Sequence, residues 1–88
     1  MAIPLTLDFS GPLNPDSTGT FVYDHMSAGY PMFHNIVKEF WLWYFAFPGQ
    51  WLVSKVQGLP GPYGWSSSDL VSTNYLPYGT ALGTGDMH

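Results

Sequence analysis

Residues 40–53 carry the block Phe40-Trp41-Leu42-Trp43-Tyr44-Phe45-Ala46-Phe47, followed by Pro48-Gly49-Gln50 and Trp51-Leu52-Val53. Seven of these fourteen residues are aromatic and none is charged. Such a block must be hidden from water by lipid, by a partner or by a core. An 88-residue chain forms one small domain and buries proportionally little surface. Its flanks, which hold most of the 10 Gly and 8 Pro, read as unable to supply a core. The block therefore predicts a protein that works as part of something larger.

The spacing of Phe33, Ile36, Val37, Phe40, Trp41, Tyr44 and Phe47 follows i, i+3, i+4, i+7 and predicts a helix. Leu42, Trp43, Phe45 and Ala46 fill its opposite side, so beyond Phe40 the helix is apolar all round and needs burial or lipid on every face. Lys55 stands in its last turn, Gly58 is placed to cap it and Pro60 to stop it. Pro48 removes a backbone donor and predicts a kink, with a break into two helices, residues 33–47 and 50–57, left open. The fold class expected is thus mainly irregular and extended, with one central α-helix over about residues 32–57 and no independent globular core. Residues 1–31 form an extended N-terminal arm and residues 58–88 a Pro/Gly/Ser-rich C-terminal arm. Within them Leu5, Leu7 and Phe9 alternate weakly, residues 20–23 are β-prone, and Ser66-Ser67-Ser68-Asp69 resembles a helix capping box.

Residues 36–56 would span about 31 Å as a helix at ~1.5 Å per residue, close to the ~30 Å of a hydrocarbon core. Lys38, Glu39 and Lys55 lie near the ends, and Trp41, Trp43 and Trp51 fall where aromatic belts form. Membrane lipid is accordingly an expected partner, and the protein is placed in or on a membrane. One lysine flanks each end, so orientation stays open.

Only 9% of residues are charged, against about 25% in ordinary soluble domains, so much of the surface is not built to face water. The net charge is −4 and Lys38 and Lys55 are the only strong cations, which excludes nucleic acid as a partner. With no cysteine there is no disulfide and no thiolate metal site. The N-terminus lacks the basic and apolar regions of a secretory leader. Among three histidines, His34 opens the aromatic segment and is the candidate axial ligand for haem iron or chlorophyll magnesium. His25 follows Asp24, and sequence neighbours do not face each other on a regular element, so the two are not read as a pair. The serines at 66–68 lack a nucleophile-elbow pattern, and no phosphate, dinucleotide or calcium loop is present. No enzyme is expected.

The leading expectation is a non-catalytic accessory subunit packed into a larger, membrane-embedded complex of respiratory or photosynthetic type. Phe40, Trp41, Trp43, Tyr44, Phe47, Trp51 and Trp65 would contact its protein partners or lipid. A structural protein of a virion or other soluble assembly is the alternative, and a pigment- or haem-binding chain using His34 the third.

Overall fold

Alternation with a period of two organises the chain. In Thr6–Ser10 the buried positions are Leu7 and Phe9, while Thr6, Asp8 and Ser10 point outward, as one face of a strand against a core requires. The computed structural model describes residues 5–46 and 49–88. Within them lie eight strands: β1 (Thr6–Ser10), β2 (Gly19–Ser27), β3 (Tyr30–Asn35), β4 (Phe40–Phe45), β5 (Gln50–Val56), β6 (Leu59–Ser67), β7 (Ser72–Gly79) and β8 (Gly85–Met87). Each pairs antiparallel with the next, and β8 returns to β1 with Met87 opposite Phe9, closing a barrel.

The register places Phe33, Leu42, Val53 and Trp65 side by side on neighbouring strands, so one inward row crosses β3 to β6. Phe9 enters from β1 and meets Phe21, Trp65 and Tyr75 edge-on, at centroid distances of 6.0, 6.2 and 5.4 Å. These edge-to-face contacts suit the ring quadrupoles. Leu13 and Ala81 plug one end of the barrel from the β1–β2 and β7–β8 loops, which are tied by the Asn14–Leu82 bridge. Trp65 Nε1 donates to the Gly83 carbonyl at 2.9 Å there, and the Tyr75 hydroxyl donates to the Leu70 carbonyl at 2.6 Å in the β6–β7 loop.

The helix expected over residues 32–57 is therefore corrected to strands β3, β4 and β5 with their turns. No helix among the described residues is long and apolar enough to cross a membrane, which removes the transmembrane helix. Ile36 and Val37, used as helical core positions, stand 70% and 85% exposed in the β3–β4 turn. That turn is closed by the Lys38 N–H donating to Asn35 Oδ1, with Glu39 at φ 59°. Gly58 has φ 75° and serves the β5–β6 turn. A left-handed glycine suits a helix end and a hairpin equally, so its position was informative and its reading was not. The kink expected at Pro48 lies outside the described residues.

The period was misread because nearly every position in the block is apolar, so helical and strand templates both match. β4 is covered on both faces: Phe40 and Leu42 point into the barrel, and Trp43 is buried on the opposite side. The core thought to be missing comes from the supposed arms, through Phe9, Phe21, Trp65 and Tyr75.

Candidate functional site

Trp43 is hidden on the outside of the barrel because the β5–β6 hairpin folds over it. Pairing shifts register between Ser54 and Val56, a bulge at Lys55 that bends the hairpin. Trp43 Nε1 donates to Ser54 Oγ at 2.8 Å, and that hydroxyl lies 3.0 and 2.9 Å from the Val56 and Leu59 carbonyls. At the tip, Gln57 Nε2 reaches Met32 Sδ at 3.1 Å. The Tyr78 hydroxyl donates to the Pro60 carbonyl at 2.6 Å. Met32, Trp43 and Leu52 thus form a second buried cluster, bordered by Trp41, Phe45 and Tyr78.

Two outward rows run across the wall beside this cluster. One is Trp41, Ser54, Gly64 and Tyr78, and the next is Trp43, Leu52, Ser66 and Leu76. The outward residues that β6 contributes, Gly64 and Ser66, are small, whereas Leu52 of β5 and Leu76 and Tyr78 of β7 are large. The consequence is a groove with β6 as its floor. A Cβ added at Gly64 would lie 2.3 Å from the Val53 carbonyl oxygen and 2.6 Å from Tyr78 Oη, so Tyr78 rests directly on a strand with no side chain there.

The groove has two chemically distinct halves. A depression of about 210 Å³ is walled by Phe45, Leu52, Pro60 and Tyr78, with Gln50 and Ser66 at its edge. A second depression of about 330 Å³ shares Gln50 and Ser66 and continues over Ser67, Ser68, Asp69, Ser72, Asn74 and Leu76. Ser67 Oγ accepts from the Asp69 N–H at 3.3 Å and Ser72 Oγ from the Asn74 N–H at 3.0 Å, which fixes both turns. Burial pushes the Tyr78 phenol up to about 12 and also raises that of Tyr75.

These phenols give the fold an alkaline limit. Their neutral forms are the ones folding favours, so the stabilisation is complete below the ordinary tyrosine value of 10.0; the share from Tyr78 is lost as pH rises through about 12, and that from Tyr75, raised further, persists to higher pH. Circular dichroism followed through that window is expected to show unfolding accompanied by tyrosinate absorbance. In Tyr78→Phe the stability loss across it becomes shallower, and an unchanged alkaline profile would contradict the assignment.

A separate aromatic group lies where β3 to β5 approach the opposite turns. Tyr30 stacks on Tyr44 at 4.0 Å, and Trp51 stands edge-on to both, at 6.0 and 5.3 Å. Beside it a pocket of about 150 Å³ is lined by Ser27, Tyr30, Met32, Trp43, Tyr44 and Gly58 among others.

The residues expected to meet a partner divide sharply. Phe40 and Trp65 are buried in the barrel, and Trp43 lies under the hairpin. Trp41, Tyr44 and Trp51 are half-buried on the surface, and Phe47 lies outside the described residues. His34 is stacked on Trp41 at 3.8 Å with ring planes 3° apart, on the outer wall. His25 and Asp24 do meet, His25 Nδ1 on Asp24 Oδ2, because the register shifts between Tyr23 and His25. The bulge there supersedes the rule for regular elements on which they were kept apart. Both are exposed, and no group of three metal-binding side chains occurs among the described residues.

Sequence reasoning missed Phe45, Ser66, Asn74 and Tyr78. The signal was present as the Gly64-Trp65-Ser66 alternation of small and large residues, but the Gly/Pro run before it read as a turn. No known protein family, curated protein or solved structure matches the chain.

Proposed function

We propose that the chain is a non-catalytic accessory module that contributes a binding surface to a larger assembly. The observation that carries this reading is the surplus of aromatic surface outside a barrel whose interior is already filled. Trp41, Phe45 and Tyr78 are only half-buried and border the same outer cluster, on β4 and β7. Aromatic groups held on strands lose little conformational freedom when a ligand covers them, which favours binding. Scarcity of charge points the same way, since the centres of binding interfaces are depleted in it.

The test is extraction of the tagged protein from the cells that make it, followed by sizing under gentle conditions. The unmodified chain is expected to elute in a complex well above its own 9.8 kDa. A Trp41→Ala/Phe45→Ala double variant, shown by circular dichroism to remain folded, is expected to elute as free chain. If the unmodified protein elutes as free chain, the reading fails.

A further inference from the structure

We propose that the groove across β5, β6 and β7 binds a neutral carbohydrate chain, with Phe45 and Tyr78 taking the apolar faces of its sugar rings and Gln50, Ser66, Asp69 and Asn74 its hydroxyls. This deepens the accessory-module reading and rests on it.

The argument begins with the floor. β5 and β7 stand two strand spacings apart, about 10 Å; Tyr78 covers the floor at Gly64, and outward Ser66 leaves the width open beside it. The width suits one pyranose ring lying against the wall. Along β7 the groove runs from Tyr78 to Asn74, about 13 Å at ~3.3 Å per residue, which accommodates at least two successive rings. Each ring presents axial C–H bonds on its faces and hydroxyls on its rim. A pocket that is apolar at one end and rich in neutral donors and acceptors at the other answers both.

The polar half is set up to exchange hydrogen bonds with a guest. Ser67 and Ser72 spend their hydroxyl acceptors on the turns, holding the loop in shape. Among the described residues, the Gln50, Ser66, Asp69 and Asn74 side chains make no hydrogen bond to the protein, so their capacity is free for hydroxyls. Tyr78 is positioned by its hydrogen bond to the Pro60 carbonyl and by contact with Gly64.

Other ligand classes fit less well. An extended peptide commonly binds by adding a strand to a sheet edge, and here the sheet closes on itself. A phosphate-bearing ligand would meet Asp69 with no lysine or arginine in the groove. A purely apolar ligand would bury the hydroxyl-lined half unpaired, at a cost. A proline-rich peptide is the nearest rival, because it docks on aromatic grooves without strand pairing.

The test uses the purified full chain, labelled with nitrogen-15 and titrated with hexasaccharides of β-1,4-glucose, β-1,3-glucose, β-1,4-xylose, α-1,4-glucose and β-1,4-N-acetylglucosamine. At least one is expected to shift the amides of Ser66, Asp69, Asn74 and Tyr78 saturably at micromolar to millimolar concentration. Ser66→Leu, which fills the floor, is expected to weaken binding at least about tenfold, and Asn74→Ala about fivefold. Leu82→Ser, on an exposed loop outside the groove, should leave it unchanged. Absence of shifts with all five sugars, or equal affinity in the unmodified and groove variants, overturns the proposal. Saturable binding of a polyproline decapeptide in the groove, with no sugar bound, overturns it as well. Either failure alongside an intact complex in the native extract removes the carbohydrate and leaves the accessory-module reading standing.

Discussion

Replacing Trp65 with alanine is expected to abolish the folded state at physiological temperature or to lower Tm by tens of degrees. Trp65 is fully buried, contacts Phe9 and Phe40 edge-on at 6.2 and 6.0 Å, and donates to the Gly83 carbonyl. Its loss empties the centre of the barrel and leaves that carbonyl without its donor. Tryptophan-to-alanine changes in cores cost about 3–5 kcal/mol. At ~0.05–0.15 kcal/mol per residue, a domain of this size has a total stability of roughly 4–13 kcal/mol, so the change removes a large share of it. With about 4–8 °C lost per kcal/mol, the thermal midpoint should fall by roughly 12–40 °C. Trp65→Phe should fall less, since it keeps an aromatic ring among the core rings and forfeits the hydrogen bond. A melt of Trp65→Ala within a few degrees of the parent, followed by far-ultraviolet circular dichroism, would show that this residue does not organise the core.

The second large effect is expected at Gly79, and a pair of glycines isolates its cause. Gly79 and Gly58 both have positive φ, 65° and 75°. A Cβ at Gly58 would meet nothing within 4 Å, so Gly58→Ala carries only the backbone penalty, about 1–2 kcal/mol. At Gly79 the added carbon would sit 1.9 Å from the Pro62 carbonyl oxygen and 2.9 Å from its carbon, both backbone atoms of β6. No rotamer change relieves such a clash, so β6 and β7 must separate. Gly58→Ala should yield a folded protein with a modestly lower melting temperature, and Gly79→Ala one without a cooperative transition. Equal melting temperatures for the two would show that the β6–β7 contact has room to give.

Local chemistry was legible where one residue type serves one purpose. Gly58 was located as punctuation, and it falls in a turn. The weak alternation of Leu7 and Phe9 was visible, but the segment reads as an extended arm, and the structure makes it strand β1 with both residues buried. The central error arose from surplus rather than from lack of signal. When Phe40 to Phe45 are all apolar, periodicity cannot distinguish a helix from a strand covered on both sides, and the arbiters left are length, the flanking Pro48-Gly49 and the aromatic enrichment that favours strands. The turn chemistry of Asn35 to Glu39 was the overlooked breaker, because Ile36 and Val37 looked like core positions. Closure was illegible for another reason: it depends on β8 reaching β1, a pairing of residues far apart in sequence. The groove shared that fate, since its walls come from β4, β5 and β7 and only its floor is local. Ser66 to Asp69 were noticed as a capping pattern, and their turn-fixing hydrogen bond to the Asp69 N–H belongs to a loop instead.

The closing strand has a kinetic consequence. β8 is only three residues long and its register with β1 comprises two pairs, Phe9 with Met87 and Ser10 with Asp86. Until those pairs form, β1 and β7 each present a row of unsatisfied backbone groups, in a sheet that already contains the aromatic block. Unpaired edges beside exposed hydrophobic surface recruit other chains, and pairing that spans the whole sequence forms slowly. Productive folding is therefore a race between a short strand finding its partner and intermolecular pairing, which the finished barrel can no longer enter.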